Sequence, residues 1–568
     1  MKNTIKFANW LNRWSDWSGI MRISSVTTIF VVMVVVLFSL NKRKFWSQLS
    51  GNLKKLGHKG NQFCHNWQWY DLFTTPIYCN VCQSVIVSGA CCIYCNLYSD
   101  EKCLKKADKI FRCKQFCDVH DDVAIIDKKI LRRNWQHKWV KGNLNLNSSC
   151  YICNENDCGC SPSLSDYKCC WCLRTVHESC LNSVSNRELV DSCDFGEFKH
   201  LILRPNLVQK KSQLWSMSVK DYKINRDILS ASDCLEWTPI FVFANSTSGS
   251  ADASLIMPHF NRILNPLQVV EMTKDNIENS IKWMHDHSDL IEFKILVCGG
   301  DGSIGWILDG LSAYEFKKFK PAVGILPLGT GNDLSRTLNW GQGYIGDVDI
   351  EDILHQVDRA EHTELDRWQV QISKIDQRKK NTKSPVSKSK NMNNYISIGC
   401  DALVTLNFHK DRKNLWFPNR ILNKLIYFKY GTIDTFMKEC RTLTENLELE
   451  LDDLKINLPH LESIVLLNIS HWGGGVEPWK IGTGKKSFPE PKIDDGFLEV
   501  FGIYSSFHIA QLQVGLAEPY RIGRAKKVKI KTAKRFPVQI DGEPFEQGPS
   551  LFEISLNNKV TMLKKIAI

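Results

Sequence analysis

The chain has 568 residues, too many for one hydrophobic core, and its 43% apolar and 24% charged content exclude wholesale disorder. A formal net charge of +12 suits an anionic membrane surface or nucleic acid equally well. Most of the 22 cysteines lie between Cys64 and Cys193, many in C-x-x-C pairs with histidines nearby, so zinc in a reducing compartment explains them better than a small secreted disulfide scaffold.

Residues 1–19 set Trp10, Trp14 and Trp17 at helical spacing among Lys2, Lys6 and Arg13, a mixture that suits a membrane interface. From Ile23 to Leu40 eighteen residues carry no charge, with Ile23, Phe30, Val34, Leu37 and Leu40 marking the apolar run, and Lys42-Arg43-Lys44 follows. That length just reaches the hydrocarbon thickness of a bilayer, and the basic cluster directs the downstream chain to the cytoplasm. Residues 20–44 therefore read as a membrane anchor, spanning or re-entrant, in the endoplasmic reticulum or plasma membrane. A cleaved signal peptide is the rival, but no small-residue cleavage site follows the run.

Two cysteine-rich units come next. The first, residues 62–120, offers His65, Cys79, Cys82, Cys92, Cys95, Cys103 and Cys113, with Asp100 where a histidine would complete C-x4-H-x2-C. The second, residues 136–196, offers His137, Cys150, Cys153, Cys169, Cys172, His177, Cys180 and Cys193, including C-x2-C-x4-H-x2-C. Eight such ligands make two tetrahedral zinc sites, and each C-x-x-C step supplies two ligands from one tight turn. The second unit resembles the C1 zinc finger, whose sites interleave. By that resemblance one metal takes His137, Cys169, Cys172 and Cys193, and the other takes Cys150, Cys153, His177 and Cys180. Cys64, Cys91, Cys117, Cys158 and Cys160 are spare thiols. Between the units, Lys128 to Lys141 mixes Lys and Arg with Trp135 and Trp139, which suits a headgroup interface or a plain solvated surface. Residues 205–235 are polar, weakly periodic, and read as a linker.

An α/β alternation fills residues 236–365, with strand-like runs at 238–244, 268–272, 293–298 and 322–326 and helical patterns between them. Residues 366–568 read as a β-rich lobe with a polar, Ser/Lys-rich insertion near Lys374–Lys390. Gly341–Gly346 fits G-x-G-x-x-G but follows a helix, and Gly482–Ser487 lacks the P-loop spacing, so neither is a nucleotide motif.

Three strand ends are rich in small and polar residues. The run Phe293–Gly299 ends in Gly299-Gly300-Asp301-Gly302-Ser303. Ala322–Leu328 ends in Gly329-Thr330-Gly331-Asn332-Asp333. Ile240–Ala244 runs into Asn245, Ser248 and Gly249. Glycines at strand-to-helix turns let backbone N–H groups approach a phosphate, and an open α/β sheet holds nucleotides at its carboxyl edge. Downstream, Asp495 and the Asp541-Gly542-Glu543 turn add carboxylates. Taken alone, an Asp-Gly pair is an ordinary hairpin turn.

These residues resemble the diacylglycerol kinase catalytic domain, whose GGDG turn is shared with sphingosine, ceramide and NAD kinases. The resemblance covers nearly the whole chain and is nearest the epsilon type. It implies a multidomain protein with a membrane helix, two zinc-bound C1-like fingers, and an α/β nucleotide-binding lobe followed by a β-rich lobe. It also implies ATP-dependent phosphorylation of diacylglycerol to phosphatidate, which attenuates diacylglycerol signalling and feeds phosphoinositide resynthesis. Asp301 and Asp541 are then the two candidates for general base, with Glu543 and Asp495 toward Mg²⁺. Zn²⁺ is expected twice per finger. Diacylglycerol and membrane lipids are the expected partners, with no nucleic acid. A ceramide or sphingoid-base kinase, or a catalytically dead membrane-docking scaffold, are the competing readings.

Overall fold

The computed structural model describes residues 65–114, 116, 135–145, 148–155, 165–183, 192–211, 218–227, 229, 236–246, 252–344, 349–375, 387–414, 440–481 and 489–566. The anchor positions Ile23, Phe30, Val34, Leu37 and Leu40, and the site candidates Ser248 and Gly249, lie outside them. No helix among the described residues is long and apolar enough to cross a membrane.

The chain divides into two compact units, one of them drawn from Met1–Lys114, Trp139–Cys170 and Arg174–Asn186. It contains a three-stranded sheet with Trp67–Tyr70 against Gly89–Cys92 and Tyr98–Ser99, and a second with Trp139–Lys141, Tyr167–Cys169 and Thr175–Val176. So few strands cannot bury much, and thiols occupy the interior instead. Cys79, Cys92 and Cys150 are fully buried. The C-x-x-C steps at Cys79, Cys92, Cys150 and Cys169 are each followed by a left-handed residue, Gln83, Asn96, Asn154 and Leu173. That reversal folds the step into a knuckle with both sulfurs on one side. Asn143, just past Trp139–Lys141, accepts from the Tyr78 N–H and donates to its carbonyl, both at 2.9 Å, and so ties the second sheet to the separate hairpin Ile77–Tyr78 with Val85–Ile86.

The second unit takes Gln115–Lys138, Trp171–Leu173 and Arg187–Ile568. Trp171 is buried with Trp135 and Phe195 edge-on to it, and this aromatic cluster belongs to the second unit. The expected linker 205–235 is also folded in part. Val208–Lys210 pairs with Tyr222–Ile224, and the Trp283 indole donates to the Tyr222 carbonyl at 2.9 Å. Its alternating apolar residues Val219, Tyr222 and Ile224 are buried, which polar composition alone does not foretell.

The α/β part opens with strands β1 (Ile240–Ala244), β2 (Val269–Glu271), β3 (Lys294–Gly299) and β4 (Ala322–Pro327). They are parallel in the order β2-β1-β3-β4, and β1, β3 and β4 are buried along their whole length. A parallel sheet covered on both faces requires such unbroken apolar runs. Helices α1 (Asp252–Ile263), α2 (Lys274–His287) and α3 (Asp301–Ser312) follow β1, β2 and β3, and α4 (Asp333–Thr337) and α5 (Ile350–Arg359) follow β4.

Beyond α5 the chain becomes antiparallel. It runs through β5 (Glu361–Lys374), β6 (Ser387–Met392), β7 (Tyr395–Gly399), α6 (Cys400–Asn414), β8 (Leu447–Leu451), β9 (Leu454–Ile456) and β10 (Ser463–Leu467). Then come β11 (Leu498–Ile503), α7 (Ser506–Gln513), β12 (Tyr520–Ala525), β13 (Lys527–Thr532), β14 (Phe536–Ile540), β15 (Glu543–Gln547) and β16 (Ser550–Lys564). A six-stranded sheet is ordered β12-β11-β10-β7-β14-β15. The last strand, β16, pairs with β13 and β5 and then returns to β4, where Val323 meets Met562. The expected boundary at 365/366 is thus crossed by one ten-stranded sheet, and β5 itself straddles it. Trp368, Ile396, Leu466, Val500, Ile530, Val538 and Ile554 share one buried core, each worth about 1.5–3 kcal/mol of burial. That core holds the end of β14 in register with β7, and so fixes where Asp541 stands.

Candidate functional site

Two turns meet at the carboxyl edge of the parallel sheet. Gly300 is the N-cap of α3, and a Cβ there would stand 3.0 Å from Gly329 Cα. The reciprocal Cβ on Gly329 would stand 2.5 Å from Gly300 Cα. Side chains are excluded at both positions. Gly299 is equally closed, by Ser303 Oγ at 2.7 Å, and that hydroxyl accepts from Asn245 Nδ2 at 2.9 Å. The expected contributions of Asn245, Gly299, Gly300, Ser303 and Gly329 therefore converge.

Asp301, in the first turn of α3, accepts from the Asp333 N–H at 3.1 Å and the Leu334 N–H at 3.3 Å. It caps α4 from another helix, a role normally taken by the residue before the helix. That residue is Asn332, left-handed and buried, whose amide donates to the carbonyls of Gly329 and Gln342, both at 2.9 Å. Thr330 and Gly331 lie on the turn between them, with Gly331 facing the Asp301 and Asp333 carboxylates. Asp333 in turn accepts from the Gly474 N–H at 3.0 and 3.1 Å.

Asp541 arrives from the β14–β15 turn in a left-handed conformation. Its Oδ2 accepts from the Asn393 N–H at 2.7 Å and from Asn393 Nδ2 at 3.2 Å. Its Oδ1 accepts from the N–H groups of Asn394 and Tyr395 at 2.7 and 3.1 Å. Glu543 is exposed beside Gly302, where a Cβ would stand 3.9 Å from Glu543 Oε1.

Burial pushes the Asp301 carboxyl above the usual carboxylate range, against the hydrogen bonds from the α4 amides. Burial, then the Asp301 charge, pushes Asp333 to about 7. Burial pushes Asp541 to about 6, opposed by its three backbone donors and reinforced by Asp301. Asp301 thus raises both Asp333 and Asp541, and the three acids form one anionic edge suited to a cation. Each is already engaged by N–H donors, so the set fits Mg²⁺ held partly through water. Asp495 does not join them. It is spent on an ion pair with Arg524, which also reaches Glu499 at 3.3 Å, and on the Phe497 N–H at 3.0 Å.

Sequence reasoning passed over Asn393 and Gly474 as the donors that hold Asp541 and Asp333. The Asn-Asn pair immediately before a strand, and the triple glycine after Trp472, were the available signals.

Within the first unit, His65, Cys92, Cys95 and Cys113 gather their ligand atoms within 4.8 Å of one another, as do Cys150, Cys153, His177 and Cys180. His65 Nε2 lies 3.0 Å from the Phe111 carbonyl, which leaves Nδ1, 3.2 Å from Cys95 Sγ, to face the thiols. Cys79, Cys82 and Cys103 form a trio. Asp100 does not complete it. Its carboxylate accepts from the Lys102 N–H at 3.2 Å as a helix cap, and only its own N–H turns to Cys79 Sγ, at 3.4 Å. In the second unit His137, Cys172 and Cys193 come together, with His137 Nδ1 3.4 Å from Cys172 Sγ. Cys169 is buried at the end of its strand. These donor sets fit zinc.

A parallel sheet whose glycine turns carry acids, with an antiparallel lobe that contributes a further acid turn, is an arrangement fit to hold a nucleotide's phosphates at its carboxyl edge. Residues 239–370 match the diacylglycerol kinase catalytic domain and residues 391–544 the diacylglycerol kinase accessory domain, together half of the chain. A probable diacylglycerol kinase 3 of Caenorhabditis elegans is 32% identical over 535 residues, 86% of this chain and 63% of the relative. Diacylglycerol kinase 2 of Arabidopsis thaliana is 29% identical over 643 residues, 92% of this chain and 86% of the relative. Diacylglycerol kinase theta of Mus musculus is 37% identical over 337 residues, 58% of this chain and 35% of the relative. The chain spans less than two thirds of the worm and mouse relatives. It belongs to the diacylglycerol kinase family.

Proposed function

We propose that the protein transfers the γ-phosphoryl group of ATP to the free hydroxyl of 1,2-diacylglycerol, giving phosphatidate. The observation that carries this reading is the convergence of the Gly300 and Gly329 turns with the Asp301, Asp333 and Asp541 carboxylates at one sheet edge. The two turns, with Asn245 and Ser303, hold the phosphates through backbone N–H groups and the α3 N-terminus. Glu543, with Asp301 and Asp333 behind it, would hold Mg²⁺, which supplies charge neutralisation of the phosphates when bound. Asp301 and Asp541 both keep each oxygen on N–H donors, but Asp301 also caps α4, so turning it to a substrate would uncap the phosphate-binding turn, whereas Asp541 caps no helix. Asp541 is therefore assigned as the base: it accepts the hydroxyl proton as the lipid oxygen bonds to the γ-phosphorus and the bond to ADP breaks. Its acidity of about 6 leaves it ionised at neutral pH.

Zinc, two ions per finger, would staple the cysteine-rich unit. The epsilon type is proposed within the family, on the paired Cys/His units and the uncharged Ile23–Leu40 run. That run would anchor the protein in the endoplasmic reticulum or plasma membrane with the kinase in the cytoplasm.

The test is transfer of labelled γ-phosphate to mixed micelles of diacylglycerol, ceramide or sphingosine, with Gly300→Asp as control. Label in phosphatidate, lost in the variant, is expected. Label on a sphingolipid alone would replace the substrate, and no transfer from zinc-loaded, folded protein would favour the scaffold reading.

A further inference from the structure

Arg367 leaves β5 fully buried and makes four hydrogen bonds with its guanidinium. Nε donates to Asn393 Oδ1 at 2.7 Å. Nη1 donates to the Leu308 carbonyl at 2.9 Å and to Ser312 Oγ at 2.5 Å. Nη2 donates to Asp309 Oδ1 at 2.5 Å, an oxygen that also accepts from Asn391 Nδ2 at 2.8 Å.

Three of these acceptors lie in the last turn of α3, where free carbonyls and the negative end of the helix dipole favour a cation. The other end of the same helix carries Gly300 and Asp301. The fourth acceptor, Asn393, binds Asp541 through both its backbone N–H and its side-chain amide. Asn393 comes that close because α3 has glycine at 305, where a Cβ would stand 3.3 Å from Asn393 Nδ2. One planar side chain thus connects the helix that presents the GGDG turn to the segment that holds the acid from the antiparallel lobe.

We propose that Arg367 is a positioning residue, which clamps the C-terminal turn of α3 to Asn393 and so sets Asp541 against the GGDG turn. This rests on the assignment of Asp541 as base. A lysine in the same place keeps the charge but cannot address Asn393 and the α3 carbonyl from one rigid fork. A residue important only for folding would lower the amount of native protein without changing turnover per molecule. A positioning residue lowers turnover of molecules that remain folded, because a misplacement near 1 Å of a reacting group costs about 10²-fold.

The experiment uses the full chain in diacylglycerol micelles and compares Arg367→Lys, Asn393→Ala and the double variant, with thermal melting measured in parallel. We expect kcat to fall by about tenfold or more in each single variant. KM for ATP and diacylglycerol should stay within about threefold, and the double variant should be no slower than the slower single. Arg367→Met, which loses charge and fork together, should be slower than Arg367→Lys. A near-normal kcat in melting-competent Arg367→Lys, or losses that multiply in the double variant, overturns the proposal. Should Arg367→Lys not fold, Asp309→Asn carries the same test from the exposed side of the pair. Asp541→Asn is run alongside. If it retains turnover the base assignment fails, whatever the cycle shows, so the two failures are distinguishable.

Discussion

Gly300 and Gly329 stand back to back, each occupying the space a Cβ of the other would need. Two phosphate-binding turns from neighbouring parallel strands are thereby brought to backbone contact, which a side chain on either would prevent. Gly329→Ala should therefore separate the turns. The expected result is loss of about 10²-fold or more in turnover with a melting temperature only a few degrees lower, since the strained contact lies at a sheet edge rather than in the core. Unchanged turnover in a Gly329→Ala protein would mean that the turns need not touch.

The acids at this edge couple cation binding to pH. Burial and the Asp301 charge push Asp333 up to about 7, so a proton competes for it within the neutral range. A cation it helps to hold needs it ionised, so Mg²⁺ affinity should weaken as pH falls from 8 to 6 and binding should release protons. Calorimetric titration of Mg²⁺ in the presence of a non-hydrolysable ATP analogue measures this. An affinity flat across that range would remove Asp333 from the cation site.

Glu499 offers a separate test of buried charge. Burial, partly opposed by Arg524 and aided by Asp495, pushes it to about 7. Its folded acidity lies above the ordinary 4.5, so the folded state binds the extra proton and stability declines as pH rises from about 4.5 to 7. Glu499→Gln should stabilise the second unit by about 1–3 kcal/mol at pH 8 and have little effect at pH 5. Denaturant unfolding at both pH values decides it, and destabilisation at pH 8 would show the Arg524 contact outweighs desolvation.

The Asp100 cap makes a prediction about metal content. Asp100→Ala should keep all its zinc and lose about 1 kcal/mol of local stability. Cys103→Ser should lose one equivalent, because it removes a member of the thiol trio. Elemental analysis of the purified variants gives the answer. Zinc lost from Asp100→Ala would return the carboxylate to the metal.

At the other end of the sheet, Asp358 is held well below the usual carboxylate range by His200 and then Lys294. A depressed acid contributes stability above its unfolded value, near pH 4, and loses it as pH falls toward the folded one. Asp358→Asn should narrow the difference in melting temperature between pH 5 and pH 2, the range in which the wild-type carboxylate gives up its contribution.

Much of the site was visible in the chain as local pattern. Gly299 to Ser303 and Gly329 to Asp333 each follow an apolar run and precede an amphipathic one, and that order alone places them on strand-to-helix turns. Their contact through Gly300 and Gly329 was not visible, because it depends on β3 and β4 being neighbours. The Asp495-Gly and Asp541-Gly turns look alike in sequence. They part company in space because β14 ends beside Asn393, while the turn after Asp495 leads β11 past Arg524. Asp100 sits where a ligand is expected, yet its short side chain finds the Lys102 amide first.

What the sequence by itself determined is the local chemistry: apolar runs buried on both faces, glycine turns at their ends, and paired thiols at knuckle spacing. These follow from periodicity and from the conformations glycine and C-x-x-C steps permit. Only the tertiary structure decided which carboxylates share a site, that β16 returns to close one sheet across both lobes, and that Arg367 joins α3 to Asn393. Those depend on contacts between residues up to hundreds of positions apart, whose register is set by packing of the whole core and leaves no local signature.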